Sequence, residues 1–406
     1  MTATPQNREK GIGLMSVVLF GLVACMLYGV GAGIRSDIGI FLRPLSEHCH
    51  VSYADTSFCI AVMQIAFGVA QPLLGILASR RSNRFVLLLG SLLIAASMGG
   101  MLLSRSFPAL LLWLGVVFGA GAGAIAFGLV LTSAIHFVGK QNAMIIAGML
   151  NAAAGMVGFV LSPLSQALLN AGGLTMALGV LAAMALALIP ISVVVTSRDP
   201  RRAAASREAT PPLPFRKALS NKTYLLLIAG FSTCGFHMVI IESHLFSQYC
   251  SYGIAPTDVS WAFSIYGIAT IAGALLSGYL CTRMSKGLLL GIYYGFRAVW
   301  VLAFLLLMPK TLLSACIFST GLGLTGDATV SPTSGLVSDN FPLAQVATLV
   351  GLLFLCHQIG AFLSAWLGGI LFEATGGYTA VWLIDVGLCT FASAMSLLIR
   401  PARPTP

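Results

Sequence analysis

Polar residues in this chain are few and fall in clusters, and long apolar runs lie between the clusters. Twelve such runs can be read, at about 14–41, 53–78, 85–103, 108–133, 143–168, 174–197, 223–249, 258–281, 287–308, 311–335, 345–370 and 378–399. A helix needs roughly 20 mainly apolar residues to cross about 30 Å of hydrocarbon, so each run predicts a transmembrane helix. The short connections predict antiparallel neighbours. A membrane β-barrel would instead show alternating strands of about ten residues, a pattern these Leu/Ala/Val/Gly runs lack. The pattern predicts an all-α integral membrane protein of twelve transmembrane helices.

Composition excludes the alternatives. Apolar residues make up 58% of the 406 positions, glycine adds 44 more, and only 8% are charged. A soluble domain carries about 25% charged residues, and disorder needs low hydrophobicity with high charge. Orientation follows from the basic residues, which collect on cytoplasmic loops. With the N-terminus inside, 17 of the 22 Lys/Arg fall on inner segments, among them Arg80, Arg81, Arg84, Arg283 and Lys286. Only Arg43, Arg105 and Lys310 fall outside, and Arg35 and Arg297 lie within predicted spans. Both termini are therefore expected in the cytoplasm. The net charge of +10 is spread along one membrane face, so no nucleic-acid partner is implied. The first run is too long for the apolar core of a signal peptide and is expected to stay as a span.

One stretch, 198–222, is rich in charge and proline and divides the runs six and six. A repeat follows the same division: Gly75-Ile-Leu-Ala-Ser-Arg80 returns as Gly278-Tyr-Leu-Cys-Thr-Arg283, at an offset of 203 residues. Glu47-His-Cys-His returns loosely as Gln248-Tyr-Cys-Ser, at an offset of 201. The organisation expected is a six-helix half over 1–197, a cytoplasmic linker over 198–222 and a second six-helix half over 223–406. The nine cysteines form no CxxC pair, so no metal or redox framework is implied. Pairing of Cys49 with Cys250, both at outer helix ends, is left open.

Twelve helices in two related halves, with a basic GxLxxR turn after the second helix, resemble the major facilitator superfamily. Its loop motif runs G-x-L-a-D-R-x-G-R-R; here it reads GILASRRSNR, with Ser79 in place of the acid and Ser82 in place of a glycine. The resemblance assigns Arg80, Arg84 and Arg283 to the inner gating loops. The run Gly148-Met-Leu-Asn-Ala-Ala-Ala-Gly155-Met-Val-Gly158 is similar to the superfamily's glycine-rich fifth helix, where small residues permit close helix approach. Tyr28-Gly-Val-Gly-Ala-Gly-Ile-Arg35, Cys234-Gly-Phe-His237 and Phe354-Leu-Cys-His357 are similar to bacterial carriers of the monocarboxylate-transporter-like and oxalate–formate-exchanger-like branch. That resemblance implies a bacterial inner membrane and a small carboxylate substrate, moved with a proton or by exchange. Relatives place an arginine in the eighth helix where this chain has Ala274, so their carboxylate clamp does not transfer whole.

Ionisable residues inside the membrane are costly and mark functional candidates. Arg35 and Arg297 cannot readily lose their charge and need anionic partners, and a guanidinium offers a carboxylate two parallel donors. Arg35 is the first expectation for a substrate anchor, with Gly29, Gly31 and Gly33 permitting close approach; a local pairing with Asp37 is the alternative. Arg297 either contacts substrate or bridges helices. His237, His357 and Tyr28 complete the substrate-binding set, and Trp261, Trp366, Phe236 and Tyr266 either wall a cavity or pack. His357 can titrate near neutral pH and can face a carboxylate or carry a proton; a neutral hydrogen-bonded histidine is the reading favoured for His244. Glu242 and Asp327 are the candidate proton carriers, and Asp327 can alternatively serve as counter-ion to Arg297. His48, His50 and His136 fall in predicted loops with no assigned chemistry.

The function expected is a secondary transporter of a small organic anion, a monocarboxylate in the first instance, working by alternating access with proton coupling or exchange. The alternative on the same fold is a proton-driven exporter of amphipathic compounds. The partners expected are the anion, protons and the lipid bilayer, with the chain as a monomer and no cofactor or metal. No Walker motif, HExxH or nucleophile elbow appears, so no enzymatic activity is expected.

Overall fold

Polar clusters in the sequence become helix caps. In a computed structural model that describes residues 14–199 and 218–399, Ser52, Ser82, Asn221 and Thr311 each accept a hydrogen bond from a first-turn backbone N–H, contacts worth about 1 kcal/mol apiece. Most of the linker expected at 198–222, with its arginines, lies outside the described residues, as do the basic positions before 14 and after 399.

Every regular element among the described residues is helical. In order these are α1 (Leu14–Ser36), a 3-10 turn Ile38–Phe41, α2 (Leu42–Cys49), α3 (Tyr53–Arg80) and α4 (Asn83–Leu103). Then come α5 (Phe107–Leu110), a π-helical stretch Leu111–Phe118, α6 (Gly119–Ala124), α7 (Phe127–Val138), a 3-10 turn Lys140–Asn142 and α8 (Ala143–Val195). After the linker follow α9 (Lys222–Ile240), a π-helical stretch Ile241–Leu245, α10 (Phe246–Ser251), α11 (Pro256–Leu280) and α12 (Lys286–Leu306). The chain closes with α13 (Leu312–Thr325), a 3-10 turn Asp327–Thr329, α14 (Val330–Asn340), α15 (Leu343–Thr375) and α16 (Thr379–Leu397).

Among the described residues, ten helical stretches are long and apolar enough to cross a membrane. The longest contains two of the expected spans, because α8 folds at Gly172–Gly173. Gly173 has φ 64 and ψ −163, a conformation open only to glycine. Expected span ten is absent from the ten because it is broken: Gly326 (φ −50, ψ −84) ends α13, and the 3-10 turn intervenes before α14. Span four is broken too, at Ile125–Ala126 between α6 and α7. These two breaks lie about one repeat apart in sequence. So do the 3-10 turn at Ile38 and the π-helical stretch at Ile241, whose starts differ by 203 positions. Backbone irregularity at membrane depth is tolerated where it is buried in protein or lines a cavity.

Small residues set the helix contacts. A side chain at Gly29 or Gly33 would meet Val157 of α8 at 2.7 Å, so these glycines admit a neighbouring helix rather than a ligand. Gly155 of α8 and Gly267 of α11 lie against each other's carbonyls, whereas Gly148 and Gly158 have nothing within 4 Å of an added Cβ. Of the α8 glycines expected to allow close helix approach, Gly155 does so, and Gly29 and Gly33 of α1 do the same.

Every hydrogen bond that joins residues 14–199 to residues 218–399 lies in the half of the bundle away from the chain termini. Tyr53 Oη bonds His244 Nδ1 (3.1 Å) and Tyr378 Oη (2.9 Å), and the Ala54 N–H donates to Glu373 Oε1 (2.9 Å). Ser264 Oγ–H donates to the Phe159 carbonyl (2.7 Å). Phe58 packs edge-on against Trp366. At the terminus-bearing end, no such bond joins the two among the described residues. The hydrogen bonds between the two parts thus seal the bundle at its far end.

Candidate functional site

Arg35 stands in the last turn of α1, just below the far-end seal. Its Nη1 donates to Glu242 Oε2 (3.0 Å) and Gln64 Oε1 (3.1 Å), and its Nη2 donates to Glu242 Oε1 (3.3 Å). The guanidinium also lies over the Phe67 ring at 5.0 Å. The pair is desolvated but reachable, with side chains 18% and 9% exposed. A guanidinium that holds a carboxylate through both nitrogens has the geometry by which arginine recognises carboxylates generally. Glu242 reaches it from the π-helical stretch; such stretches recur at functional sites. The alternative local partner, Asp37, points elsewhere: one oxygen accepts from Ser162 Oγ (2.8 Å) and the other is buried without a partner.

Asp327 opens the 3-10 turn in the broken span and lies deep in the bundle, yet its side chain is exposed. It borders open space. His357 of α15 is half-buried between the rings of Phe231 (5.0 Å) and Phe354 (6.2 Å), with a buried Nδ1 that has no partner. Arg35, Glu242, Asp327 and His357 interact electrostatically, and the hydroxyl of Tyr28 feels the first three. Tyr28 itself packs edge-on against Phe127. These five residues, separated by up to 329 positions in sequence, come within electrostatic reach of one another in the bundle interior.

Two expected substrate contacts are corrected. Arg297 is 0% exposed. Its Nη2 donates to the carbonyls of Thr325 and Gly326, and its Nη1 to Cys234 Sγ (3.2 Å). It therefore caps the carbonyls that the break leaves at the end of α13, and it forms no ion pair with Asp327. His237 is likewise 0% exposed. Its Nδ1 is 2.7 Å from Asp385 Oδ2 between α9 and α16, with Cys389 beside them. Both side chains are fully enclosed by neighbouring helices and already bonded there.

The remaining candidates are placed as follows. His244 bonds Tyr53 Oη through one ring nitrogen and the Ala365 carbonyl through the other (2.9 Å), within the far-end seal. Arg80, Arg84 and Arg283 are exposed at the terminus-bearing end, and Arg283 lies over the Tyr279 ring at 5.6 Å. Near the serine-substituted loop, the acid comes from Asp199. Its carboxylate accepts from Ser133 Oγ (3.0 Å) and meets His136 Nδ1 (2.9 Å). Trp261 is 55% exposed on the outer surface, Phe236 is buried, and Tyr266 is half-buried. Cys49 and Cys250 are free thiols.

Sequence reasoning missed Asp385, Gln64 and Tyr53. Asp385 was findable as a lone acid in an apolar run. Gln64 and Tyr53 carry no charge, and nothing in their local sequence marks them.

Comparison with known proteins agrees with this architecture. A Bacillus subtilis (strain 168) protein named as an uncharacterised MFS-type transporter, YcxA, is 25% identical over 384 residues, covering 91% of this chain and 92% of that one. Mouse monocarboxylate transporter 11 is 24% identical over 376 residues, covering 88% and 81%. The fold is that of a D-xylose–proton symporter crystal structure, at a TM-score of 0.74 and 13% identity, covering 96% of this chain and 98% of that one. The family model for the Major Facilitator Superfamily matches residues 17–249 and 250–406, so the chain belongs to that superfamily and is a multi-pass membrane transporter with relatives among the monocarboxylate transporters.

Proposed function

We propose that this transporter moves a small organic anion, a monocarboxylate in the first instance, together with a proton by alternating access. Twelve spans form two six-helix halves, 1–197 and 223–406, joined by the cytoplasmic linker 198–222. Both termini lie in the cytoplasm of a bacterial cell, the chain acts as a monomer in the inner membrane, and the far-end seal faces outward. Arg80, Arg84 and Arg283 belong to the inner gate.

The observation that carries this reading is the Arg35–Glu242 pair. Arg35 is partly exposed and already holds a carboxylate by both terminal nitrogens. A substrate carboxylate can take that place only when Glu242 lets go, and protonation makes it let go. Glu242 then carries the proton and Arg35 the anion, so the two bind together. Tyr28 and His357 complete the lining. Rocking of two halves about a site at their interface is the general mode of such folds.

The test is uptake of labelled L-lactate into proteoliposomes with and without an inward proton gradient. Gradient-driven accumulation is expected, lost in Arg35→Gln. In Glu242→Gln, exchange should persist while response to the gradient disappears. Lactate uptake undiminished by Arg35→Gln would refute the anchor. If Arg35→Gln still transported amphipathic compounds, the exporter reading would replace this one.

A further inference from the structure

The proposal above leaves one charge in the cavity unused. Asp327 is exposed at membrane depth and, among the described residues, has no hydrogen-bond or ion-pair partner for its side chain. Two cations could have neutralised it. Arg297 is instead committed to the Thr325 and Gly326 carbonyls and to Cys234, and Arg35 to Glu242 and Gln64. His357 lies within electrostatic reach, but no hydrogen bond joins the two. The surroundings fix Asp327 in place. Capping by Arg297 fixes the break, and α14 begins three residues on, so the carboxylate stands before a helix N-terminus, where negative charge is favoured. Arg35 and Glu242 bond each other, whereas Asp327 bonds neither them nor Arg297, although Arg35, Arg297 and His357 all lie within electrostatic reach of it. A simple monocarboxylate held at Arg35 leaves the Asp327 carboxylate without a hydrogen-bonded partner.

We infer that Asp327 receives a cationic group of the substrate, so that the transported molecule is a small zwitterion whose carboxylate goes to Arg35 and whose ammonium goes to Asp327. This rests on the assignment of Arg35 as carboxylate anchor and narrows the substrate class within it. Charge balance gives the inference a second signature. A monocarboxylate moving with one proton carries no net charge, whereas a zwitterion moving with one proton carries one positive charge inward. Transport of the zwitterion must therefore respond to membrane potential.

The probes are matched pairs that differ in one group: L-lactate with L-alanine, 3-hydroxypropionate with β-alanine, and 4-hydroxybutyrate with 4-aminobutyrate. The three pairs also step the separation of the two charges. Equilibrium binding to the purified full-length protein is measured for wild type, Asp327→Asn and Arg35→Gln, with the melting temperature of each ligand-free variant as the check on folding. Asp327→Asn is isosteric and exposed, so it is expected to melt like wild type. At least one amino acid should bind wild type more tightly than its hydroxy acid partner. Asp327→Asn should weaken that amino acid by about tenfold or more, the scale of one charge-assisted hydrogen bond, and leave the hydroxy acid unchanged or tighter. A potassium diffusion potential, negative inside, should accelerate uptake of that amino acid into proteoliposomes. The inference is overturned if all three hydroxy acids outbind their amino partners, or if Asp327→Asn weakens both members of a pair equally. It is also overturned if the variant changes only the proton dependence of uptake, which would make Asp327 a proton carrier. Failure of the Arg35 anchor reads differently: Arg35→Gln would then leave both members of every pair bound as in wild type.

Discussion

Replacing Gly39 by alanine should unseal the far end. Gly39 lies in the 3-10 turn after α1, directly against the π-helical stretch that carries Glu242. An added Cβ would overlap the Glu242 carbonyl oxygen and stand 2.8 Å from that of Ser243. Carbon and carbonyl oxygen ordinarily approach to about 3.3–3.6 Å, so the Ser243 oxygen alone must retreat by roughly 0.5 Å, and that of Glu242 by more. Neither can rotate away, because both are main chain. Overpacking of this kind costs about 1–3 kcal/mol, and the cost falls only on the conformation in which the seam is closed. Opening should become about 5- to 150-fold more frequent. Hydrogen exchange at the amides of 37–42 and 241–247 reports it directly, as a rise of that size. Gly387→Ala is the control, since a Cβ there meets nothing within 4 Å. Exchange in Gly39→Ala that matches Gly387→Ala would refute the reasoning, because the seam would then not be the contact that holds the far end shut.

Two further outcomes follow from the corrected residues. Arg297→Gln strands the Thr325 and Gly326 carbonyls at about 1–3 kcal/mol each; the melting temperature should fall, and the affinity for whichever amino acid binds wild type should fall with it as Asp327 loses its fixed position. Unchanged melting would mean that the break in the broken span needs no cap. His237→Leu leaves Asp385 buried without its partner and should cost about 3–5 kcal/mol of stability, read as a lower melting temperature with the substrate KM unchanged. A raised KM at unchanged stability would return His237 to the binding site.

How much was legible depends on how local each property is. Helicity, apolar length and the uneven placement of Lys/Arg are properties of short windows. The runs therefore predict the helices closely, although Gly172–Gly173 merges two of them and Gly326 divides another. The superfamily was legible for a related reason: the GxLxxR turns recur at an offset of 203, and a repeated turn survives without reference to packing. Arg35, Glu242, Asp327 and His357 stood out because charge or a titratable ring inside an apolar run is visible one residue at a time.

Which partner each of those groups takes was not legible. Arg35 passes over Asp37, two residues away, for Glu242, 207 positions distant. Arg297 ignores Asp327 for two carbonyls that exist as free acceptors only because the helix breaks there. Sequence alone determined the solvent, the helices and the family, since these follow from hydrophobicity and charge summed along the chain. Tertiary structure decided the site, because the face a helix turns to the cavity and the depth of each break are set by small residues on neighbouring helices. A buried charge takes whichever partner that packing brings within about 3 Å.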